Sequence, residues 1–302
     1  MLVVIALGGN ALLKRGEPMT AENQRRNIRE AAGAIAEVIR AGHRVVVTHG
    51  NGPQVGLLAL QGEAYRAESV FPLDVLGAET EGMIGYLLEQ ELENALSHST
   101  PVATLLTQIE VDPRDPAFAL PSKPIGPIYS EEQASTLAKA RGWNVAPDGA
   151  HWRRIVPSPE PQRVLELQVI RLLLDQGVIV ICAGGGGIPV VRRDDGSQIG
   201  VEAVIDKDSA SALLALSLGA DAVLMLTDVD GVYEHWGAPD ARLLARATPD
   251  EMRARSFAAG SMAPKVAAAC RFADAGGRFA AIGALTDALA LLEGSRGTRI
   301  AG

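Results

Sequence analysis

The chain is short of cysteine, of aromatic residues and of positive charge. Its two cysteines, Cys182 and Cys270, sit far apart inside apolar runs. They make no disulfide framework, and no CxxC or Cys/His cluster is there to hold a metal, so both read as small core residues in a reducing cytoplasm. Aromatics supply 4% of the 302 residues while 47% are hydrophobic, so the core has to be built from Ala, Val, Leu and Ile. Lys and Arg number 28 against 36 Asp and Glu, a net charge of −8. That argues against nucleic acid or an anionic membrane as a partner, because both require a basic face, and leaves room for an anionic small ligand where lysines gather locally. No run approaches the ~20 apolar residues of a membrane helix. The opening MLVVIALGGNALL lacks a basic leader segment and is interrupted by two glycines and Asn10, so it reads as a strand and turn rather than a signal. Also missing are GxxxxGK[ST] and a GxGxxG at the first helix, which disfavours P-loop and dinucleotide-binding folds.

What is present is alternation. Short apolar runs at 2–7, 44–48, 102–107, 178–183, 222–226 and 279–282 predict strands. Between them, helical patterns cover 21–41, 78–96, 162–176, 209–218, 264–275 and 287–292. Gly42, Gly177, Gly219 and Gly276 stand just past helical runs, where a left-handed residue ends a helix. Thr20 and Thr248 suit N-caps, and Glu251 completes a capping box with Thr248. Strand–helix alternation of this kind predicts βαβ units and a largely parallel sheet covered on both faces. Two stretches break the rhythm. Residues 110–161 are rich in Pro and charge with weak periodicity, too long for an ordinary loop, and predict an inserted subdomain or lid. Asp195-Gly196 between extended segments predicts a hairpin.

In open α/β sheets ligands bind beyond the carboxyl ends of the strands. After the first strand comes Gly8-Gly9-Asn10, and after the second His49-Gly50-Asn51-Gly52. Glycines fill 184–187 after the fourth, and Thr227-Asp228-Val229-Asp230-Gly231 follows the fifth. Backbone N–H groups in such turns make anion sites, and several together at one sheet edge favour phosphate. Three lysines could complement them, although Lys123 taken alone reads as a solvated surface residue. Lys123 is held between prolines in PSKPIGP, Lys207 opens a helix in VIDKDSASA, and Lys265 lies in the first turn of another in GSMAPKV. A cation at a helix start opposes the macrodipole and is tolerated when an anion lies between the two. Asp208 is suited to orient both lysines or to cap its helix; Asp206 reads as a solvated neighbour. Asp228 and Asp230 suit either a ribose or base contact or a simple turn. His49 reads as a structural hydrogen-bonding residue; Trp152-Arg153-Arg154 could reach an anion, but on its own reads as an aromatic anchor with two exposed charges.

Together, ALGGNAL, VVTHGNGPQVG, PSKPIGP, WRRIVPSPEP, AGGGGIPV, EAVIDKDSASALLA, LTDVDGVY and GSMAPKV resemble the carbamate kinases of the amino acid kinase superfamily over nearly the whole chain. The resemblance implies a three-layer α/β/α sandwich with a mainly parallel sheet and a protruding insert. An N-lobe of about 1–176 would bind the phosphoryl acceptor, and a C-lobe of about 177–302 would bind ATP. It implies a homodimer and reversible transfer between ATP and carbamate, giving ADP and carbamoyl phosphate. Family membership points to ATP production in arginine or purine breakdown. Many superfamily members carry a lysine two residues before the first glycine pair; here that place is Ala6, and the insert's Lys123 takes the role. On this reading Lys123, Lys207, Asp208 and Lys265 are catalytic. Gly8, Gly9, Asn10, Gly50, Asn51, Gly52, Gly185 and Gly186 hold the acceptor. Thr227, Asp228, Val232, Tyr233 and Met262 join Lys207 and Lys265 around ATP. Mg2+ arrives on the phosphates, with no protein metal cage expected. Two rival readings are another small-molecule kinase of the superfamily and a non-catalytic regulator that binds nucleotide or acyl phosphate.

Overall fold

The structure is a computed structural model; it describes every residue except Arg15, 67–69 and Ala259, and leaves the side chains of Asn10 and Ala11 undescribed. From the N-terminus, β1 (Leu2–Leu7) leads through α1 (Gly9–Leu12) to α2 (Ala21–Arg40) and β2 (Arg44–His49). Then come α3 (Gly52–Arg66), α4 (Leu73–Ala95), β3 (Val102–Thr104) and β4 (Gln108–Val111). A small excursion holds β5 (Lys123–Tyr129), α5 (Glu131–Arg141), β6 (Asn144–Asp148) and β7 (His151–Val156). The chain returns through β8 (Pro161–Val164), α6 (Leu167–Asp175), β9 (Ile179–Ile181), β10 (Ile188–Arg192), β11 (Gln198–Gly200) and α7 (Lys207–Leu218). The last part runs β12 (Ala222–Thr227), β13 (Tyr233–Glu234), β14 (Arg242–Leu243), β15 (Arg246–Ala247), α8 (Pro249–Arg253), α9 (Met262–Asp274), β16 (Phe279–Ala284), α10 (Ala288–Glu293) and β17 (Thr298–Ile300).

The main sheet has eight strands in the order β15-β17-β16-β12-β1-β2-β9-β3. All its ladders are parallel except β16 with β17. Every residue of β1 is buried, as a strand covered on both faces demands. Alternate side chains enter two cores. Val4, Ala6, Val46, Val180 and Met225 pack with α6, α7 and α9, for example against Leu174, Leu214 and Phe272. Val3, Ile5, Leu7, Val47 and Leu224 pack with α2, α4 and α10, for example against Ile35, Ile84 and Leu291. The result is the three-layer α/β/α arrangement. The expected caps are in place: Thr20 accepts from Asn23 N–H, Thr248 and Glu251 form a capping box, and Gly42, Gly177, Gly219 and Gly276 all have positive φ. The hairpin at Asp195-Gly196 joins β10 to β11.

Two expectations need correction. The helix expected over 162–176 begins only at Leu167; its first residues instead form β8, paired antiparallel to β4 through Ile109 and Val164. The structure also adds α3, a helix absent from the sequence reading. Pro53 is harmless in its first turn, where the missing N–H would have had no partner. Gly56 and Gly62 mask its periodicity.

The small sheet, in the order β5-β7-β6, rests on α3 and α4. Ile125 and Val156 meet Val55, Leu73 and Leu76 in a separate apolar cluster. Gly56 of α3 and Gly126 of β5 approach so closely that a Cβ on Gly56 would lie 2.6 Å from the Gly126 Cα. This contact seats the strand that begins with Lys123 against the rest of the molecule.

Candidate active site

The four loops marked in the sequence open on one cavity of about 860 Å³, which Gly8, Gly9, Gly50, Asn51, Gly52, Gly185, Thr227 and Asp228 all help to line. Parallel register brings them together: Gly50 N–H donates to the Leu7 carbonyl at 3.0 Å, and Gly8 N–H to the Leu226 carbonyl at 2.9 Å. The side chain of Asn10, expected at the acceptor site, lies outside the described residues. Asn51 donates through Nδ2 to Thr80 Oγ1 at 2.8 Å, which orients its amide.

The glycines at 184–187 answer chiefly to the protein itself. Ala183 and Gly185–Gly187 all have positive φ. A side chain at Gly184 would strike the His49 ring at 2.4 Å, one at Gly185 the Asn51 amide at 2.0 Å, and one at Gly186 the Ile205 carbonyl at 2.4 Å. Positions 184–186 therefore admit only glycine. Gly185 reaches the cavity, whereas Gly186, expected to touch the acceptor, faces Ile205 and does not line it. Val232, expected beside the nucleotide, is fully buried and donates its N–H to Thr298 Oγ1. Tyr233 and Met262 do line the cavity.

The three lysines converge. Lys207 Nζ donates to Asp208 Oδ1 at 2.5 Å and Lys265 Nζ to Asp208 Oδ2 at 3.0 Å. Lys207, Lys265 and Asp208 retain 11%, 13% and 5% side-chain exposure, so these charges are largely desolvated. Burial pushes the Asp208 carboxyl pKa up, but the two ammonium groups overcome it and hold that carboxyl well below the usual range. Burial also lowers the Lys207 pKa, Asp208 opposing it and Lys265 reinforcing it. Lys123 Nζ reaches into the same cavity and donates to Asp206 Oδ2 at 2.7 Å.

This overturns the reading of Asp206 as a solvated neighbour and of Asp208 as a candidate cap. Asp206 is the N-cap of α7, its Oδ1 accepting from the N–H groups of Asp208 and Ser209 at 3.0 Å each. Asp208, inside the helix, is thereby free to face the lysines. Arg153, read as an exposed charge, also lines the cavity. It donates to the Gly126 carbonyl at 2.8 Å, and its Nε is buried without a partner. Only the folding of the small sheet brings it there, so the sequence could leave an anion contact open but not place it. At the rim, Tyr233 and Trp236 meet edge to face with ring centroids 5.1 Å apart.

Behind the glycine turn lies a buried polar layer. His49 donates through Nδ1–H to the Gly50 carbonyl at 3.1 Å; burial lowers its pKa to about 4, with Lys207 adding to the effect. It is therefore neutral at pH 7. Glu81 accepts from Thr107 N–H at 2.8 Å, and burial raises its pKa well above the usual carboxylate range. Among the described residues no three His, Cys, Asp or Glu side chains cluster as metal ligands, and no helix is long and apolar enough to cross a membrane. A second hollow of about 740 Å³ lies over Met252, Val266 and Cys270. Its arginines are tied to carboxylates: Arg253 to Asp250 and Asp274, Arg255 to Glu234, Arg271 to Glu160.

The profile of the Amino acid kinase family matches residues 1–283. A carbamate kinase from Rhizobium meliloti is 58% identical over 302 residues, covering 99% of this chain and 93% of the relative. One from Haemophilus influenzae is 54% identical over 300 residues, covering 99% and 96%. Among solved structures, the carbamate kinase from Giardia lamblia bound to AMP-PNP superposes with a TM-score of 0.91 at 42% identity, covering 99% of this chain and 98% of that one. With a shared cavity of glycine loops and lysines, and identity of this extent over nearly its full length, the chain belongs to the amino acid kinase family and, within it, to the carbamate kinases.

Proposed function

We propose that the protein catalyses reversible phosphoryl transfer between ATP and carbamate, giving ADP and carbamoyl phosphate. One observation supports this above all: ammonium groups from three separated stretches, at 123, 207 and 265, line one cavity with the glycine loops. The reaction needs just that. Carbamate already carries an anionic oxygen, so its attack on the γ-phosphorus requires no strong base; neutral His49, behind the turn, is not asked to be one. The chemical demand is to bring two anions together in line and to neutralise the equatorial oxygens. An uncompensated pair of like charges ~4 Å apart costs about 4 kcal/mol at an effective dielectric near 20. Ammonium groups and backbone N–H donors fixed in advance meet that cost without reorganising at the moment of transfer.

In this reading Lys207 and Lys265 flank the migrating phosphoryl group, and Asp208 holds both. Lys123 closes the acceptor side and stands in for the cation that Ala6 lacks. Gly8, Gly9, Gly50, Asn51, Gly52 and Gly185 cradle carbamate or the acyl phosphate, with the unpartnered Nε of Arg153 nearby. Thr227, Asp228 and Met262 line the nucleotide side, and Tyr233 and Trp236 offer flat faces to a base. Magnesium enters on the nucleotide: Asp206 and Asp208 are engaged with lysines, so phosphate oxygens supply its main ligands. The lobes meet near residue 177, and the small sheet acts as the lid. The exposed Tyr65, Phe71 and Tyr86, on or between α3 and α4, favour a homodimer, and the two free, buried cysteines favour a reducing compartment, the cytoplasm. The test is direct: purified protein is given carbamoyl phosphate and MgADP, and ATP is measured. No ATP above background refutes the assignment; ATP formed only with a different acyl or phosphoryl donor points to another kinase of the superfamily.

A further inference from the structure

Asp206 makes two attachments with one carboxylate. Oδ1 caps α7; Oδ2 accepts from Lys123, which lies 83 residues earlier at the start of β5. The pair sits in the cavity wall, with 33% of the Lys123 side chain and 21% of the Asp206 side chain exposed. Lys207 and Lys265 share Asp208 and so keep a fixed relation to α7. Lys123 stands on the small sheet, and Asp206 is the carboxylate that ties it to the same helix. Burial raises the Asp206 pKa, but the Lys123 ammonium prevails and keeps it below the usual carboxylate value. The carboxylate therefore carries its charge at neutral pH.

We infer that Asp206 is a positioning residue. It stations Lys123 over the cavity, in register with Lys207 and Lys265, without touching the transferring group. A lysine ammonium has three N–H donors, so one bond to Asp206 leaves two for phosphoryl oxygens. A lysine free on its four-carbon stem would surrender rotamer freedom at each turnover; the ion pair removes that freedom before substrate arrives. The role of Lys123 in this inference rests on the function proposed above, whereas the hold of Asp206 on the small sheet does not.

The test is Asp206→Asn, which keeps a good helix cap and removes the charge facing Lys123. The expected result is a fall in kcat of about tenfold to a hundredfold, with the KM for ADP within about twofold. Lys123→Ala falls further, and Asp206→Asn adds nothing to it, because residues that act as a unit are not additive. Full multiplication of the two losses overturns the inference, since it would mean Asp206 serves only its helix. A second measurement needs no substrate. Hydrogen exchange at the amides of Ile125, Gly126, Ile128 and Tyr129 should quicken several-fold in Asp206→Asn and in Lys123→Gln alike, and no further in the double variant. Unchanged exchange in Lys123→Gln overturns the inference even where Asp206→Asn fails to fold. A wild-type protein that makes no ATP, with variants that still show the expected change in exchange, defeats the proposed reaction and leaves the tether standing.

Discussion

Gly56→Ala adds one carbon at the point where α3 meets the small sheet. The new Cβ would stand 2.6 Å from the Gly126 Cα and 3.3 Å from its N and C. Backbone cannot rotate aside as a side chain does, so β5 has to retreat by about 1 Å to reach ordinary van der Waals contact. Lys123 lies three residues along the same strand and moves with it. A displacement of ~1 Å at a catalytic group costs about a hundredfold in rate, so kcat for ATP formation from carbamoyl phosphate and MgADP should drop by roughly that factor. Stability should change far less. Overpacking costs ~1–3 kcal/mol, and replacing a helical Gly returns ~0.5–1 kcal/mol, a shift of a few degrees in Tm. Gly33→Ala is the control: a Cβ there meets nothing within 4 Å, and activity should be retained with Tm slightly raised. A folded Gly56→Ala protein turning over within twofold of wild type would refute the claim that the seat of the small sheet sets the position of Lys123.

Four further outcomes are expected. Lys123→Ala should cut kcat at least a hundredfold with little change in Tm; intact turnover removes the insert from the chemistry. Lys207→Ala and Lys265→Ala should each slow ATP formation strongly, and unchanged kinetics in both would end the charge-neutralisation account. His49 has a pKa of about 4 when folded against 6.5 for the unfolded group. Its contribution, about 3 kcal/mol, is therefore present above pH 6.5 and lost as pH falls towards 4. Urea midpoints of His49→Gln should accordingly depend less on pH in that window than those of wild type, and parallel curves would contradict this. Glu81 has the opposite sign. Its raised folded pKa gives stability below the unfolded value of 4.5 that is lost as pH rises, so the stability of Glu81→Gln relative to wild type should climb from pH 5 upwards; a flat difference rules this out.

The main sheet was legible because its strands are unbroken apolar runs: β1, at 2–7, coincides with its expected span, and β2, β12 and β16 were placed to within two residues. The small sheet was not, and its prolines explain why. β5 contains Pro124 and Pro127 and β6 contains Pro147, yet both are edge strands, where a missing N–H deprives no neighbour. Pro161 in β8 is likewise on an edge. At the candidate site, Lys207, Lys265 and Asp208 stood out because charges beside small apolar residues at helix starts are conspicuous, whereas Lys123, at the start of a strand, was marked only by the family resemblance. Asp206 could not be found, since its partner lies 83 residues away, and Arg153 stayed undecided, its place fixed by a contact 27 residues away. Gly186 and Val232 were misplaced for a simpler reason: a loop that lines a cavity also has an underside.

The middle position of β1 has a consequence for biogenesis. It leaves the ribosome before either of its neighbours, and one of them, β12, is made about 220 residues later, ~10–40 s at ordinary translation rates. Throughout that interval LVVIAL offers an open edge of high β-propensity to any other nascent chain. Yield of native enzyme is thus tied to chaperone supply and to the speed of synthesis, and slower growth at low temperature should favour recovery of the intact product.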